Sequence, residues 1–263
     1  MQSKIKIAFF DIDGTLLKME NKIPSEKTVY ALNELKNKGI LICMATGRSS
    51  LLMPKFEKIK FDVYITFNGS YSFNDKEIIF KFPIPKNDVF QILNNSKRMN
   101  RVMAISNEKY TLTNGDDKIL EKYFSFCEGK VIIADDFENK CKEDDVYQIM
   151  LSGVKSEYDE IIKDTTGSVI TAWWDKALDI IPSDSGKGNA VDNILAYYGL
   201  SKEESIAFGD GNNDIEMLKA VGIGVAMGNS NNNVKAAAEV VCKSVDDDGV
   251  YYYLVENGII SPQ

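Results

Sequence analysis

The sequence predicts an α/β protein: a doubly wound parallel-sheet core, with a second α/β domain inserted into it. Three observations predict this. Short apolar runs alternate with amphipathic helical stretches in the first and last thirds of the chain, the pattern of βαβ units. These runs end in clusters of Asp, Asn, Thr and Gly, the chemistry that gathers at strand ends in open α/β sheets. Between Pro83 and Pro182, strand-like and helix-like pieces continue without such a cluster at every strand end.

Residues 4–10 are apolar up to Asp11 and read as a buried strand followed by a loop. Pro24 and Ser25 open a helix that puts Val29, Leu32 and Leu35 on one face and stops at Gly39. Residues 40–45 form a second strand, ending at Thr46-Gly47-Arg48, and residues 61–66 a third, ending at Asn68-Gly69. The pattern returns with a helix over 186–198 and a strand over 205–208 that runs into Gly209-Asp210-Gly211-Asn212-Asn213-Asp214. A helix through Met217 and Leu218, a strand over 222–227 and a helix over 234–238 follow. In the middle, Ala172-Trp173-Trp174-Asp175-Lys176-Ala177 reads as a hairpin turn. The expected division is a discontinuous core of residues 1–83 and 183–263 around an insertion of residues 84–182. Asp246-Asp247-Asp248-Gly249 reads as an exposed helix start.

Composition narrows the chemistry. The 263 residues are 44% apolar and 27% charged, ordinary values for a globular chain able to bury a core. A net charge of −8 argues against a non-specific hold on nucleic acid. The chain has no histidine, which removes Ser-His-Asp and Cys-His catalysis and His-ligated zinc, leaving acid–base work to carboxylates, Lys, Tyr or Cys. The four cysteines show no C-x-x-C spacing, and Cys43 lies in an apolar run. The start of the chain lacks a signal-peptide pattern, and no apolar stretch is long enough to span a bilayer, so the expected setting is the reduced cytoplasm. The oligomeric state is left open, a monomer included.

Four clusters carry candidate chemistry. In Asp11-Ile12-Asp13-Gly14-Thr15, two acids one residue apart can approach one cation while Gly14 permits a tight turn. Such hard oxygens suit Mg²⁺. A helix-capping turn is the competing reading, and an EF-hand fails because its sixth position is Leu16. Thr46-Gly47-Arg48-Ser49 offers a hydroxyl and N–H groups for an anion, or simply an N-cap. Lys187, between Gly186 and Gly188, can serve as a point charge for phosphate or stand as an exposed turn residue. It is not a Walker loop, which needs Ser or Thr where Gly188 stands. Asp210 to Asp214 again places acids between a strand and a helix. A turn-only account must treat four ordered clusters as coincidence.

In this order and spacing the motifs resemble those of the haloacid dehalogenase superfamily of phosphatases, and within it the Cof-type hydrolases with a large α/β cap of type IIB. The resemblance spans nearly the whole chain. It departs at Ser70, where the family more often has Ala, and at Asp184 before Lys187. It implies a Rossmann-like core and a small phosphate monoester as substrate, a sugar phosphate or phosphorylated cofactor. It also implies Asp11 as nucleophile and metal ligand, and Asp13 as acid/base and a ligand through its backbone carbonyl. Ile12 (through its backbone), Thr46, Gly47, Lys187 and Asn213 would hold the phosphoryl group. Asp210 would complete the Mg²⁺ site, supported by Asp214. Arg48, Asn68, Trp173, Trp174 and Asp175 are candidates for substrate contact, with ion pairing for Arg48 and core packing for the tryptophans as the alternatives. A sugar phosphomutase and a non-catalytic sensor of phosphorylated metabolites are the competing functions.

Overall fold

The computed structural model describes residues 5–18, 23–126, 129 and 132–263. Five strands precede the middle segment: β1 (Ile7–Phe10), β2 (Leu41–Ala45), β3 (Val63–Thr66), β4 (Tyr71–Phe73) and β5 (Ile78–Lys81). Five lie within it: β6 (Met103–Ser106), β7 (Thr111–Thr113), β8 (Gln148–Ser152), β9 (Ser168–Trp174) and β10 (Ala177–Pro182). Three follow: β11 (Ser205–Gly209), β12 (Ile223–Ala226) and β13 (Val240–Val241).

The first sheet has the order β13-β12-β11-β1-β2-β3-β4-β5. Strand β1 pairs in parallel with both β2 and β11, and is buried along its whole length, as a strand covered on both faces must be. Ile7 and Phe9 face one apolar layer, with Val191, Ile194 and Leu195 of the helix Lys187–Tyr198. Ala8 and Phe10 face the other, with Leu32 and Leu35 of the helix Glu26–Asn37. Phe10 stacks on Phe208 of β11 at 5.3 Å between ring centroids. Burying a ring of this size contributes about 1.5–3 kcal/mol, so the register of the two central strands is well specified. The chain therefore adopts the doubly wound α/β class expected from its sequence. The helix opened by Ser25 is capped as expected, the Ser25 hydroxyl accepting from the Thr28 N–H. Cys43 is buried in the core.

Strands β4 and β5 extend this sheet antiparallel, and sequence patterning missed them. Both are short, and β5, although it reads Ile78-Ile79-Phe80, lies partly exposed on the sheet edge. The second sheet, β7-β6-β8-β10-β9, is antiparallel at every pairing. Strands β9 and β10 form the hairpin expected around Asp175. Period two sends Ile149, Leu151, Leu178 and Ile180 into one apolar layer. Gln148, Met150 and Asp179 lie on the opposite face. Among the described residues, no helix is long and apolar enough to cross a membrane.

Candidate active site

The parallel strands β1, β2 and β11 end on the same edge of the sheet, and their loops converge there. After β1 the chain turns at once: the N–H groups of Leu16 and Leu17 both donate to the Ile12 carbonyl, at 2.9 and 2.8 Å. Gly14 adopts φ +92°, and a Cβ there would stand 2.2 Å from Asp210 Oδ2, so only glycine lets the two acidic loops meet. Thr15 Oγ1 donates to Asp210 Oδ1 at 3.0 Å.

Lys187 opens the helix behind this edge and is 1% exposed. Its ammonium reaches Asp11 Oδ1 at 2.6 Å and Asp214 Oδ1 at 2.5 Å. Burial alone would lower the Lys187 pKa. The two carboxylates outweigh that and hold it above the usual lysine value. The other oxygen of Asp214 accepts from the N–H groups of Asp210 and Gly211 at 3.0 and 2.9 Å, so both of its oxygens are engaged in bracing the site.

Carboxylate oxygens of Asp11, Asp210 and Asp214 lie within 4.8 Å of one another. Burial pushes the Asp11 pKa well above its ordinary value, and the charges of Asp214 and Asp210 push it further, against the pull of Lys187. Burial and then Asp214 push Asp210 up to about 7. Buried like charges at this spacing are costly unless a cation joins them, and hard carboxylate oxygens suit a divalent one. The residues present therefore fit a divalent metal ion.

Asp13 points elsewhere. Arg48 Nε donates to Asp13 Oδ2 at 2.9 Å and Arg48 Nη2 to Oδ1 at 2.6 Å, a two-pronged grip. Of the two roles open to Arg48, the ion pair is present, and its side chain also borders the cavity. Thr46, at the end of β2, is buried, and its Oγ1 accepts from the Arg48 N–H at 3.1 Å. Gly47 lies against Asn68, whose Oδ1 would be 2.8 Å from a Cβ at position 47. That oxygen accepts from Asn213 Nδ2 at 3.0 Å. The Ile12 side chain is wholly buried, which leaves only its backbone for a ligand.

A cavity of ≈ 210 Å³ opens over these groups, bordered by Asp11, Asp13, Thr46, Gly47, Asp210 and Asn213. Its far wall comes from the second sheet and its helix Lys118–Ser125: Ser106, Thr111, Tyr123, Phe124, Gln148 and Met150, with Phe126 beyond the helix. Lys187 sits beneath the floor, reaching it through Asp11 and Asp214. Strand β9 packs against the turn Asn212–Asp214, so the two sheets meet over the site. Trp174 stacks edge-on against Phe126 at 5.4 Å and does not border the cavity, and Asp175 is exposed in the turn. The Trp173 side chain lies outside the described residues.

Sequence reasoning missed several participants. Asn229 donates to the Gly14 carbonyl at 2.9 Å and to Asp210 Oδ2 at 3.3 Å, a clamp on the acidic loops. Its signal was present in the polar run Gly228-Asn229-Ser230 after β12, a further strand end. Ser49 Oγ is buried and makes no hydrogen bond. Tyr123, Gln148, Ser106 and Thr111 had no linear signature.

A family model described as haloacid dehalogenase-like hydrolase matches residues 8–254. The chain is 30% identical over 273 residues to the 5-amino-6-(5-phospho-D-ribitylamino)uracil phosphatase YitU of Bacillus subtilis (strain 168), covering 97% of this chain and 98% of that protein. Among solved structures, it is similar to the subclass IIB sugar phosphatase BT4131, with a TM-score of 0.89 and 30% identity over 97% of this chain and 100% of that one. It is similar also to the phosphatase BT1666 of Bacteroides thetaiotaomicron, with a TM-score of 0.90 and 29% identity over 97% and 96%.

Proposed function

The chain belongs to the haloacid dehalogenase-like hydrolases, and from that premise we propose that it is a Mg²⁺-dependent phosphatase that releases inorganic phosphate from small monoesters through an aspartyl-phosphate on Asp11. The observation that carries this is the buried Lys187 ammonium, which grips one oxygen of Asp11 at 2.6 Å while Asp11 also borders the cavity. An aspartate held in this way is a positioned nucleophile beside a fixed positive charge.

Asp11 Oδ attacks phosphorus, forming an acyl-phosphate bond as the bond from phosphorus to the ester oxygen breaks. Asp13 gives its proton to that departing oxygen. Asp13 then takes a proton from the water that attacks the same phosphorus, releasing phosphate and restoring Asp11. Thr46, Gly47, the Ile12 backbone and Asn213 bind the equatorial oxygens, and Lys187 offsets their charge. Asp11, Asp210 and the Asp13 carbonyl are the residues that would hold Mg²⁺, with Asp214 bracing them. The ion, when bound, supplies further charge neutralisation to the phosphoryl group. Residues 84–182 act as a cap that excludes water while the ester is held. The leaving group is a hydroxylated small molecule, in keeping with the sugar and ribitylamino phosphatases to which the chain is similar. Phosphate release from a panel of phosphorylated metabolites, with Mg²⁺ and with chelator, tests the reading. Equal release under both conditions, or none, rejects it.

A further inference from the structure

Among the described residues, two apolar clusters join residues 84–182 to the rest of the chain. In one, Tyr147 packs against Phe67 and Tyr71, with ring centroids 5.6 and 5.1 Å apart, and none of the three borders the cavity. In the other, Leu52 packs with Leu120, Tyr123 and Phe124 of the helix Lys118–Ser125 and with Met150 of β8. Leu52 comes from the turn Ser50–Leu52 after β2, and the cluster is otherwise drawn from within residues 84–182. Leu52, Tyr123, Phe124 and Met150 all border the cavity. A Cβ at Gly129 would stand 3.0 Å from Leu52 Cδ1, so the seat closes tightly around the leucine.

The backbone of the same residue meets the chemistry. Arg48 Nη1 donates to the Leu52 carbonyl at 3.3 Å, while Nε and Nη2 of that guanidinium hold the Asp13 carboxylate. The Leu52 N–H donates to the Ser49 carbonyl at 3.0 Å, which closes a tight turn between the arginine and the leucine. A guanidinium is planar and its N–H groups point in fixed directions, so a shift of the Leu52 carbonyl turns the edge that Asp13 meets. The Asp13 side chain is 36% exposed, so surrounding atoms restrain it little and the Arg48 grip sets its direction.

We propose that Leu52 is a positioning residue for proton donation: its side chain, seated in the cap, holds the turn whose carbonyl steadies Arg48, and Arg48 aims Asp13 at the departing oxygen. The proposal rests on the phosphatase reading and adds to it the residue through which the seating of the cap reaches the proton donor. Its effect depends on the leaving group. An alkoxide needs a proton as its bond to phosphorus breaks, whereas a nitrophenolate departs as a stable anion without one.

The test compares ribitol 5-phosphate, whose leaving group is an alkoxide, with p-nitrophenyl phosphate. The readout is kcat/KM, which covers the steps through departure of the alcohol and omits the later attack of water. In Leu52→Ala the ratio of ribitol to nitrophenyl ester falls by about tenfold, part of the roughly 10²–10⁴-fold that a positioned acid supplies. Leu52→Met keeps the apolar volume and holds the ratio within about threefold of wild type. Gly129→Val crowds the same seat from the cap side and moves the ratio as Leu52→Ala does, which keeps the test decisive if Leu52→Ala folds poorly. Arg48→Ala lowers the ratio too, and adding Leu52→Ala to it costs less than the sum of the two, because both act along one chain of contacts. A residue that merely fastens the cap lowers both esters alike, and one that touches the leaving group penalises the apolar nitrophenyl ester more. A ratio within about threefold of wild type in both Leu52→Ala and Gly129→Val, a ratio that rises, or phosphate from only one of the two esters overturns the proposal and leaves the phosphatase reading standing. No phosphate from either ester overturns both.

Discussion

The two sheets face one cavity but supply chemistry by different geometries. In the first, the reactive groups sit just past the ends of parallel strands: Asp11 after β1, Thr46 after β2, Asp210 after β11. In the second, the cavity-lining groups Ser106, Thr111, Gln148 and Met150 belong to strand interiors or ends of an antiparallel sheet. Strand ends in a parallel sheet deliver short contiguous motifs to one edge. A sheet face draws single residues from separate strands, every second position. The first geometry suits chemistry that must not vary, and the second suits contacts that can change one residue at a time.

The largest effect should come from the first sheet. Asp11→Asn removes the proposed nucleophile, and phosphate release should fall by more than about 10⁴-fold, as in enzymes stripped of their nucleophile. Circular dichroism should show the fold intact, since Asn keeps the shape beside Lys187. Acid-quenched wild type should carry a phosphoryl group on Asp11 by mass spectrometry, and the variant should not. Residual turnover above that level would place the nucleophile elsewhere.

This difference in geometry also explains what was legible in the sequence. Asp11, Asp13, Thr46, Gly47, Lys187, Asp210 and Asp214 fall in runs of four to six residues, and a run can be read. Lys187 was ambiguous alone, because its pairing with Asp11 spans 176 positions, and no local pattern shows that an exposed-looking turn lysine is buried. The Asp13 grip was equally hidden: Arg48 stood out as a cation, but its partner lies 35 residues away. The tryptophans attracted attention by size, whereas Trp174 stacks on Phe126 and does not border the cavity.

Next in size is a pH effect confined to the metal-free protein. The folded-state pKa of Asp210 is about 7 against an ordinary 3.8, and that of Asp11 is raised too. Raised carboxyl pKa values mean that the folded state holds protons more tightly than the unfolded one. Their stabilisation is full below about pH 4 and is lost as pH climbs through about 7. Asp179, at about 6, adds to the loss in the same direction. The melting temperature of the chelated protein should therefore fall between pH 5 and 8. Mg²⁺ should raise it most at the upper end, where the ligands are ionised. Asp210→Asn should flatten both trends, and a melting temperature that climbs over this interval without metal would contradict the assignment.

A smaller loss is expected at Arg48, where the two sheets' styles meet. Its two bonds to Asp13 orient the proposed acid/base, while its side chain borders the cavity. Arg48→Ala should lower kcat by about 100-fold, the lower range for mispositioned acid–base catalysis, with KM changed far less. Arg48→Lys should not restore it, because an ammonium cannot reproduce two parallel N–H···O bonds. A rise in KM with kcat preserved would instead make Arg48 a substrate-binding residue.

The smallest effect tests the second sheet alone. Trp174 packs edge-to-face with Phe126, which borders the cavity, and does not itself border it, so Trp174 acts on the substrate only indirectly. Aromatic pairs of this kind contribute about 0.5–1.5 kcal/mol beyond buried area, and only part of that reaches the substrate. Trp174→Ala should therefore raise KM by about threefold and leave kcat within about twofold. Phe126→Ala, which removes the ring at the cavity itself, should do more, and the double variant should lose less than the sum of the two, because the two rings are in direct contact. Additive losses would mean that Trp174 acts on the site independently of Phe126, through the cluster of Tyr123, Phe124 and Met150 against which it also packs.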